Sequence, residues 1–315
     1  MKGGNQLVYL LTLVFGYIAV ATYPYAFLKN HAKLTAQTAI FEKPGILVWD
    51  GQTISPETQR IIISMNATPY STNQEGPARI VTISRDHYHS NITIGQRGSD
   101  LIIRLRRDSI NALGLPPFVV PRIFESLAPQ RLEVAVNKDS LTVKVNGDME
   151  ISQKLADNPF QFWDANYSLA LGNEHTWQRP WIGEVNAVQL TVDTTTINIM
   201  SSDSISKPGI IHLLRQRLIL FSPSVVDWIV NFVAMLPIGA LTASIFSRHR
   251  IAWSLGFWSV MAATVETAQA LIPTRYPAIS DLVLNATGAG AGAWLLVWFS
   301  GVGQCRRKPK STPAP

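Results

Sequence analysis

Between Val225 and Ser300 there are three acids, Asp227, Glu266 and Asp281, in an otherwise apolar stretch. Each is followed at helical spacing by an amide: Asn231 four residues after Asp227, Gln269 three after Glu266, Asn285 four after Asp281. Residues three or four apart share a helix face, so each carboxylate has a hydrogen-bonding neighbour. A charged side chain at the centre of a bilayer costs about 2.5–3.5 kcal/mol on insertion scales, which makes acids kept there informative. Arg275, in the connection after Glu266, is the base within reach of them. A convergent seam of this kind can hold helices together by mutual hydrogen bonding. It can equally bind the headgroup of an amphiphile or another small polar ligand.

Acid–base chemistry is a further option, with Glu266 and Asp281 as the candidates. The sequence offers no Ser/His or Cys/His arrangement, metal cluster or phosphate-cradling loop to define a reaction. Intramembrane aspartyl cleavage needs two aspartates at the midplane, whereas Asp227 and Asp281 each open an apolar block. The single cysteine, Cys305, cannot form an internal disulfide or a cysteine-based zinc site. No cofactor is expected, and calcium in the exported domain stays open without assigned ligands.

The elements that position the seam are apolar blocks at Val225–Phe246, Ile251–Ile272 and Leu282–Phe299, with an earlier one at Leu7–Leu28. A block near twenty residues is long enough to cross a hydrocarbon core of ~30 Å. Arg248 and Arg250 lie between two of the late blocks, and Arg306, Arg307, Lys308 and Lys310 follow the last. If each block crosses once, both basic clusters fall on one side, which the positive-inside rule makes cytoplasmic. The expected topology has about four spans, both termini cytoplasmic and residues 33–222 outside. All three acids then lie in the outer half of the membrane. Residues 1–30 form the first anchor, or a signal peptide cut near Ala19-Val20-Ala21. Tyr23, Pro24 and Tyr25 suit the interfacial aromatic belt. Segment 208–222, with Arg215 and Arg217 among apolar residues, reads as an interfacial amphipathic helix with snorkelling arginines, or as a connector packed on the exported domain. Residues 223–301 make the three-span domain and 302–315 a basic cytoplasmic tail. Pro237 is expected to kink the second span, and Gly239, Gly288 and Gly292 to permit close helix packing.

Residues 33–199 have a different texture. Leu132, Val134 and Val136 alternate with polar or small residues. Asn137-Lys138-Asp139-Ser140 then turns the chain, and Leu141, Val143 and Val145 alternate again. This is a hairpin with one buried face. Ile80–Ser84, Ser90–Ile94 and Asp100–Arg106 read likewise, and Arg122–Leu127 is the one hint of helix. Trp163, Tyr167, Trp177 and Trp181 either stack on sugar rings at the surface or pack the core. His87 and His89 share a strand face without a third metal ligand, and Asn66 and Asn91 head glycosylation sequons.

The paired strands ending in Val145-Asn146-Gly147, with Leu169-Ala170-Leu171-Gly172-Asn173 and Trp181-Ile182-Gly183-Glu184-Val185, resemble laminin-G/concanavalin-A-like domains. The resemblance implies an all-β jelly roll and a carbohydrate- or protein-binding role, since the same sandwich hosts lectins, adhesion modules and glycosidases. The paired carboxylates of a jelly-roll glucanase are missing, Glu184 being the nearest fragment. The set Asp227-x3-Asn231, Leu236-Pro237-x-Gly239, Glu266-x2-Gln269, Arg275 and Asp281-x3-Asn285-x2-Gly288-x3-Gly292 resembles the VanZ-like membrane family. Met235 and Ile238 depart from that pattern without touching the polar set. The family is named for a protein that raises teicoplanin resistance, so the resemblance implies cell-envelope work.

Composition agrees with a mixed β-sandwich and membrane bundle. Of all residues 47% are hydrophobic and 15% charged, which excludes a disordered chain. The net charge of +6 is concentrated in the inside loops, the tail and Arg104, Arg106 and Arg107, so nucleic acid is not an expected partner. The expected partners are membrane lipid, a cell-wall glycan or lipid-linked precursor, and an envelope protein.

Overall fold

The computed structural model describes residues 2–23, 27–51, 54–85, 89–109, 111–201, 203, 205–222, 224–246, 249–272 and 275–305. Pro24, Tyr25, His87, Arg248 and the basic residues 306–310 lie outside the described residues. The chain divides into two compact units, Leu28–Arg217 and Met1–Phe27 with Leu218–Pro315.

The first unit is a sandwich of two antiparallel sheets. One has eight strands among the described residues. They run in the order Lys33–Leu34, Thr38–Phe41, Gly183–Val192, Arg60–Pro69, Gln130–Asn137, Ser140–Val145 and Asp148–Lys154, and Thr195–Asn198 pairs on the third. The other has seven, in the order Ile205–Ser206, Leu47–Trp49, Ser168–Leu171, Gln74–Ser84, Ser90–Gly98, Asp100–Leu105 and Phe118–Val120. In Arg60–Pro69 the alternate residues Ile61, Ile63, Met65 and Ala67 face the core, as a period of two requires.

The hairpin around Asn137–Ser140 has the register its alternation implies, Leu141 opposite Val136 and Val145 opposite Leu132. In the next hairpin Val145 pairs with Asp148, leaving Asn146 and Gly147 as a two-residue turn with φ of 55° and 100°. Positive φ at both centres is the mirror-image turn that matches strand twist, and Asn146 Oδ1 secures it by accepting from the Arg131 amide at 2.9 Å. A Cβ at Gly147 would meet nothing within 4 Å. The cost of Gly147→Ala is therefore all backbone, expected at about 1–2 kcal/mol and readable as a lower midpoint of thermal unfolding.

Arg122–Leu127 forms turns and bends, not a helix. Its backbone donors are taken elsewhere: Arg122 N–H goes to Asp100 Oδ1 at 3.0 Å and Phe124 N–H to the Ser99 carbonyl at 2.8 Å. Asn91 is fully buried, so its sequon is not open to glycosylation in the fold. The second sheet is also covered on both faces, Gln74–Ser84 being buried over most of its length. The segment from Asn173 to Trp181 crosses its outer face, where the Arg79 amide donates to the Arg179 carbonyl at 2.9 Å.

The helices are α1 (Lys2–Thr22), α2 (Ile210–Arg217), α3 (Val225–Ile245), α4 (Arg250–Gln269) and α5 (Ile279–Cys305). Helix α2 belongs to the sandwich unit, with His212 against His175 and Arg217 fully buried. An arginine held this way does not snorkel, which corrects the interfacial expectation for Arg217. In the second unit α3 runs unbroken as α-helix across Pro237. Among the described residues, Val225–Ile245 and Ile279–Ser300 are long and apolar enough to cross a membrane, and Val8–Thr22 is a shorter apolar helix.

Candidate functional site

Helices α3 and α5 start side by side. A parallel bridge joins Ile219 to Ala278, with Ile279 N–H donating to the Ile219 carbonyl at 3.0 Å and Ser280 N–H to that of Leu220 at 3.1 Å. Ser224 caps α3, its Oγ accepting from the Asp227 amide at 3.2 Å. Asp227 and Asp281 both stand in first turns, where a carboxylate complements the helix dipole.

From that corner the polar groups converge. Ser222 Oγ donates to Asp227 Oδ2 at 3.2 Å, Ser222 N–H to Ser280 Oγ at 3.0 Å, and Ser280 Oγ to Asp281 Oδ1 at 3.1 Å. The Asn231 side chain hydrogen-bonds the Asp281 carboxylate, which also feels the charge of Asp227. Glu266 arrives from α4, 7% exposed, and its Oε2 accepts the Ala278 amide at 2.8 Å, within electrostatic reach of Asp281. The Tyr17 hydroxyl of α1 lies within electrostatic reach of both Glu266 and Asp281. Asn285 is buried one turn beyond Asp281 on α5.

Asp227, Asn231, Glu266 and Asp281 therefore form one cluster drawn from three helices. Of the other three expected members, Asn285 is buried on α5, and the remaining two point elsewhere. Gln269 Nε2 donates to the Ala21 carbonyl at 3.0 Å, tying α4 to α1, and the Arg275 guanidinium donates to the Tyr23 carbonyl at 3.4 Å. Ser222 and Ser280 were not singled out in the sequence, although Ser224-x-x-Asp227 is a legible capping pattern. Crowded carboxylates repel, so the cluster favours a hydrogen-bond donor, a cationic group or a shared proton.

Backbone contact holds the three helices at this spacing. A Cβ on Gly288 would strike the Phe232 carbonyl, one on Gly292 the Leu236 carbonyl, and one on Gly239 the Ala289 carbonyl. Advancing by four on both helices, from 232 to 236 and from 288 to 292, means that α3 and α5 run parallel. Ser254 Oγ of α4 bonds the Gly239 carbonyl at 3.2 Å, and Trp258 Nε1 bonds Thr242 Oγ1 at 2.9 Å.

In the sandwich the tryptophans proposed for sugar stacking are core residues. Trp163, Trp177 and Trp181 are 1%, 6% and 0% exposed, so no ring face is free for a glycan. Trp181 Nε1 bonds the buried Gln96 Oε1 at 2.9 Å and its ring lies where a Cβ on Gly183 would be. The structure also contains a Ser/His pair that sequence spacing did not disclose. Ser168 Oγ lies 3.0 Å from His175 Nε2, and His175 Nδ1 lies 3.4 Å from His212 Nε2. Ser168 and His175 are both buried, which makes the chain of groups a packing device and not an accessible nucleophile. Burial first, and His212 second, push the His175 pKa down to about 3. Nearby, Arg79 Nε and Glu174 Oε2 form a 2.9 Å ion pair.

A two-sheet sandwich followed by apolar helices that close on glycines defines a membrane-protein class with an added β-domain. The VanZ/LLP1 family model matches residues 162–300, from the sandwich strands that begin with Ser168–Leu171 through most of α5. No curated protein matches the chain. Solved structures similar to the sandwich include domain 4 of a GH43 extracellular arabinanase from Geobacillus stearothermophilus in complex with arabinotriose. It is 14% identical, with 56% of this chain and 81% of that one covered and a TM-score of 0.38. Domains LG4-5 of the mouse laminin α1 chain are 10% identical over 58% and 47%, with a TM-score of 0.37. The CBM40 of a Ruminococcus gnavus sialidase bound to α2,3-sialyllactose is 10% identical over 46% and 83%, with a TM-score of 0.35.

Proposed function

We propose that this is a multi-pass cell-envelope membrane protein in which α1, α3, α4 and α5 each cross once. In this reading both termini are cytoplasmic, residues 33–199 are an exported sandwich, and the carboxylate cluster faces the outer leaflet. The observation that carries it is the inverted polarity of the helices. Val8 and Phe15 of α1, Val226, Ile229 and Val233 of α3, Trp253 and Val260 of α4, and Trp294 and Trp298 of α5 are exposed, while Glu266, Asn285, Thr242 and Ser254 are buried. An apolar exterior of this extent marks a surface that water does not cover. The cluster of Asp227, Asn231, Glu266 and Asp281 would bind the polar head of an amphiphile such as a lipid-linked envelope precursor, and the sandwich a glycan or envelope protein.

Replacing Glu266 with Gln, and separately Asp281 with Asn, is expected to change glycopeptide susceptibility of expressing cells at unchanged protein level. Wild-type susceptibility in both would remove the ligand role. The second reading, acid–base chemistry by Glu266 and Asp281 on a lipid-linked glycan, rests on their proximity across α4 and α5. It requires turnover by the purified protein that is lost in Glu266→Gln. Cysteines placed at 275 and 249 test the topology: an impermeant reagent should label only the first in intact cells.

A further inference from the structure

The outer face of the second sheet is crowded with donors. Register fixes its occupants: Arg104 stands opposite Thr93, Thr93 opposite Thr82, and Gly95 opposite Arg79. The period of two adds Asn91 and Arg97 to the face that bears Thr93 and Gly95, while Ile92 and Ile94 point into the core. The segment from Asn173 to Arg179 closes over this face through the Arg79–Glu174 ion pair. Arg79, Arg97 and Arg179 all act electrostatically on Arg104, against the single carboxylate of Glu174. Exposure is graded across the group, from Arg97 and Arg179 at the surface through half-buried Arg104 to buried Arg79.

Several of these groups are enclosed without a hydrogen-bond partner. They are Arg79 Nη1, Arg104 Nε and both amide atoms of the fully buried Asn91, joined by Asn173 Nδ2 and Trp177 Nε1 on the covering segment. All but one are donors. A buried group left unsatisfied is strongly unfavourable, and native folds keep few of them. Trp177 moreover sits at φ 65°, a left-handed conformation that bulky residues avoid and that gathers at functional sites.

We propose that this face, between Arg79, Asn91 and Arg104 and under Asn173–Arg179, is a binding site for an oxyanion: a phosphate or carboxylate group, free or carried on a glycan. Guanidinium forks match such groups bidentately. The exposed Arg97 and Arg179 provide a positive rim that draws an anion toward the enclosed donors. The site lies wholly in the sandwich and is independent of the carboxylate cluster between the helices.

The test is titration calorimetry on the full-length protein in detergent at constant ionic strength, with sodium phosphate, sodium glucuronate and neutral glucose. Saturable binding of phosphate, glucuronate or both, and none of glucose, is expected, the stronger anion naming the source. Arg104→Gln should weaken that binding about tenfold or more. The double variant Arg97→Gln/Arg179→Gln, which alters only exposed side chains, should weaken it and flatten its salt dependence. No saturable heat with either anion overturns the proposal, as water-filled donors would then account for the face. Unchanged affinity in Arg104→Gln overturns it as well. If Arg104→Gln fails to fold, unchanged affinity in the rim variant does so.

Discussion

Gly292→Val should separate α3 from α5 and lower bundle stability by about 3 kcal/mol, at the upper end of what overpacking costs. The added Cβ alone would meet the carbonyl oxygen, carbonyl carbon and Cα of Leu236, all backbone. No side chain can rotate away to relieve that contact, so a helix must move. Movement of α3 would carry with it the Asn231–Asp281 hydrogen bond and the Trp258–Thr242 bond. Gly256 supplies the control: a Cβ there meets nothing within 4 Å, and Gly256→Ala should be neutral or stabilising by up to about 1 kcal/mol. Thermal unfolding in detergent, followed by tryptophan fluorescence, separates the two. Equal midpoints for Gly292→Val and wild type would mean that the helices do not meet at these residues.

Alternation along the strands and small residues along the helices are patterns of single elements, and they were legible. Leu132–Val136 against Leu141–Val145 has the register that its turn allows, and Gly288 and Gly292 make the contacts that their spacing implies. What the sequence hid was pairing between distant segments. Nothing local distinguishes a tryptophan that stacks on sugar from one that fills a core; Trp163 and Trp181 proved to belong to the core cluster, and Trp177 is buried in the segment that covers the second sheet. The same covering segment joins Arg79 to Glu174 over 95 residues and brings His175 to Ser168 and His212. For Arg104, a basic residue on a strand reads as a solvated edge until the ladder places its strand between two neighbours. In the polar seam, helical spacing selected Asp227, Asn231, Glu266 and Asp281. The hydroxyls of Ser222 and Ser280 depend on the bridge between Ile219 and Ala278, which no periodicity reports.

The covered face also implies that the sandwich is acid-labile. His175 is neutral in the fold, its pKa pushed down to about 3 by burial and then by His212, whereas an unfolded chain titrates it near 6.5. Between those values the unfolded state binds a proton that the folded state refuses, so stability falls as pH drops below about 6.5 and levels off near 3. Each pH unit in that window costs about 1.4 kcal/mol, or about 3 kcal/mol by pH 4.5. Glu174 adds a second, lower stage. Burial alone would raise its carboxyl, but Arg79 and the Thr176 hydroxyl outweigh that and hold it below its ordinary value. Its contribution is present above the ordinary carboxylate range and lost as pH falls through the depressed folded value. Urea unfolding at pH 7.5, 6, 5 and 4 should therefore show a midpoint that declines from pH 6 downward. His175→Gln, which keeps a hydrogen-bonding group for Ser168, should flatten the decline between pH 6 and 5 and leave the lower stage intact. A variant that declines as steeply as wild type over that interval would place the acid sensitivity elsewhere in the fold.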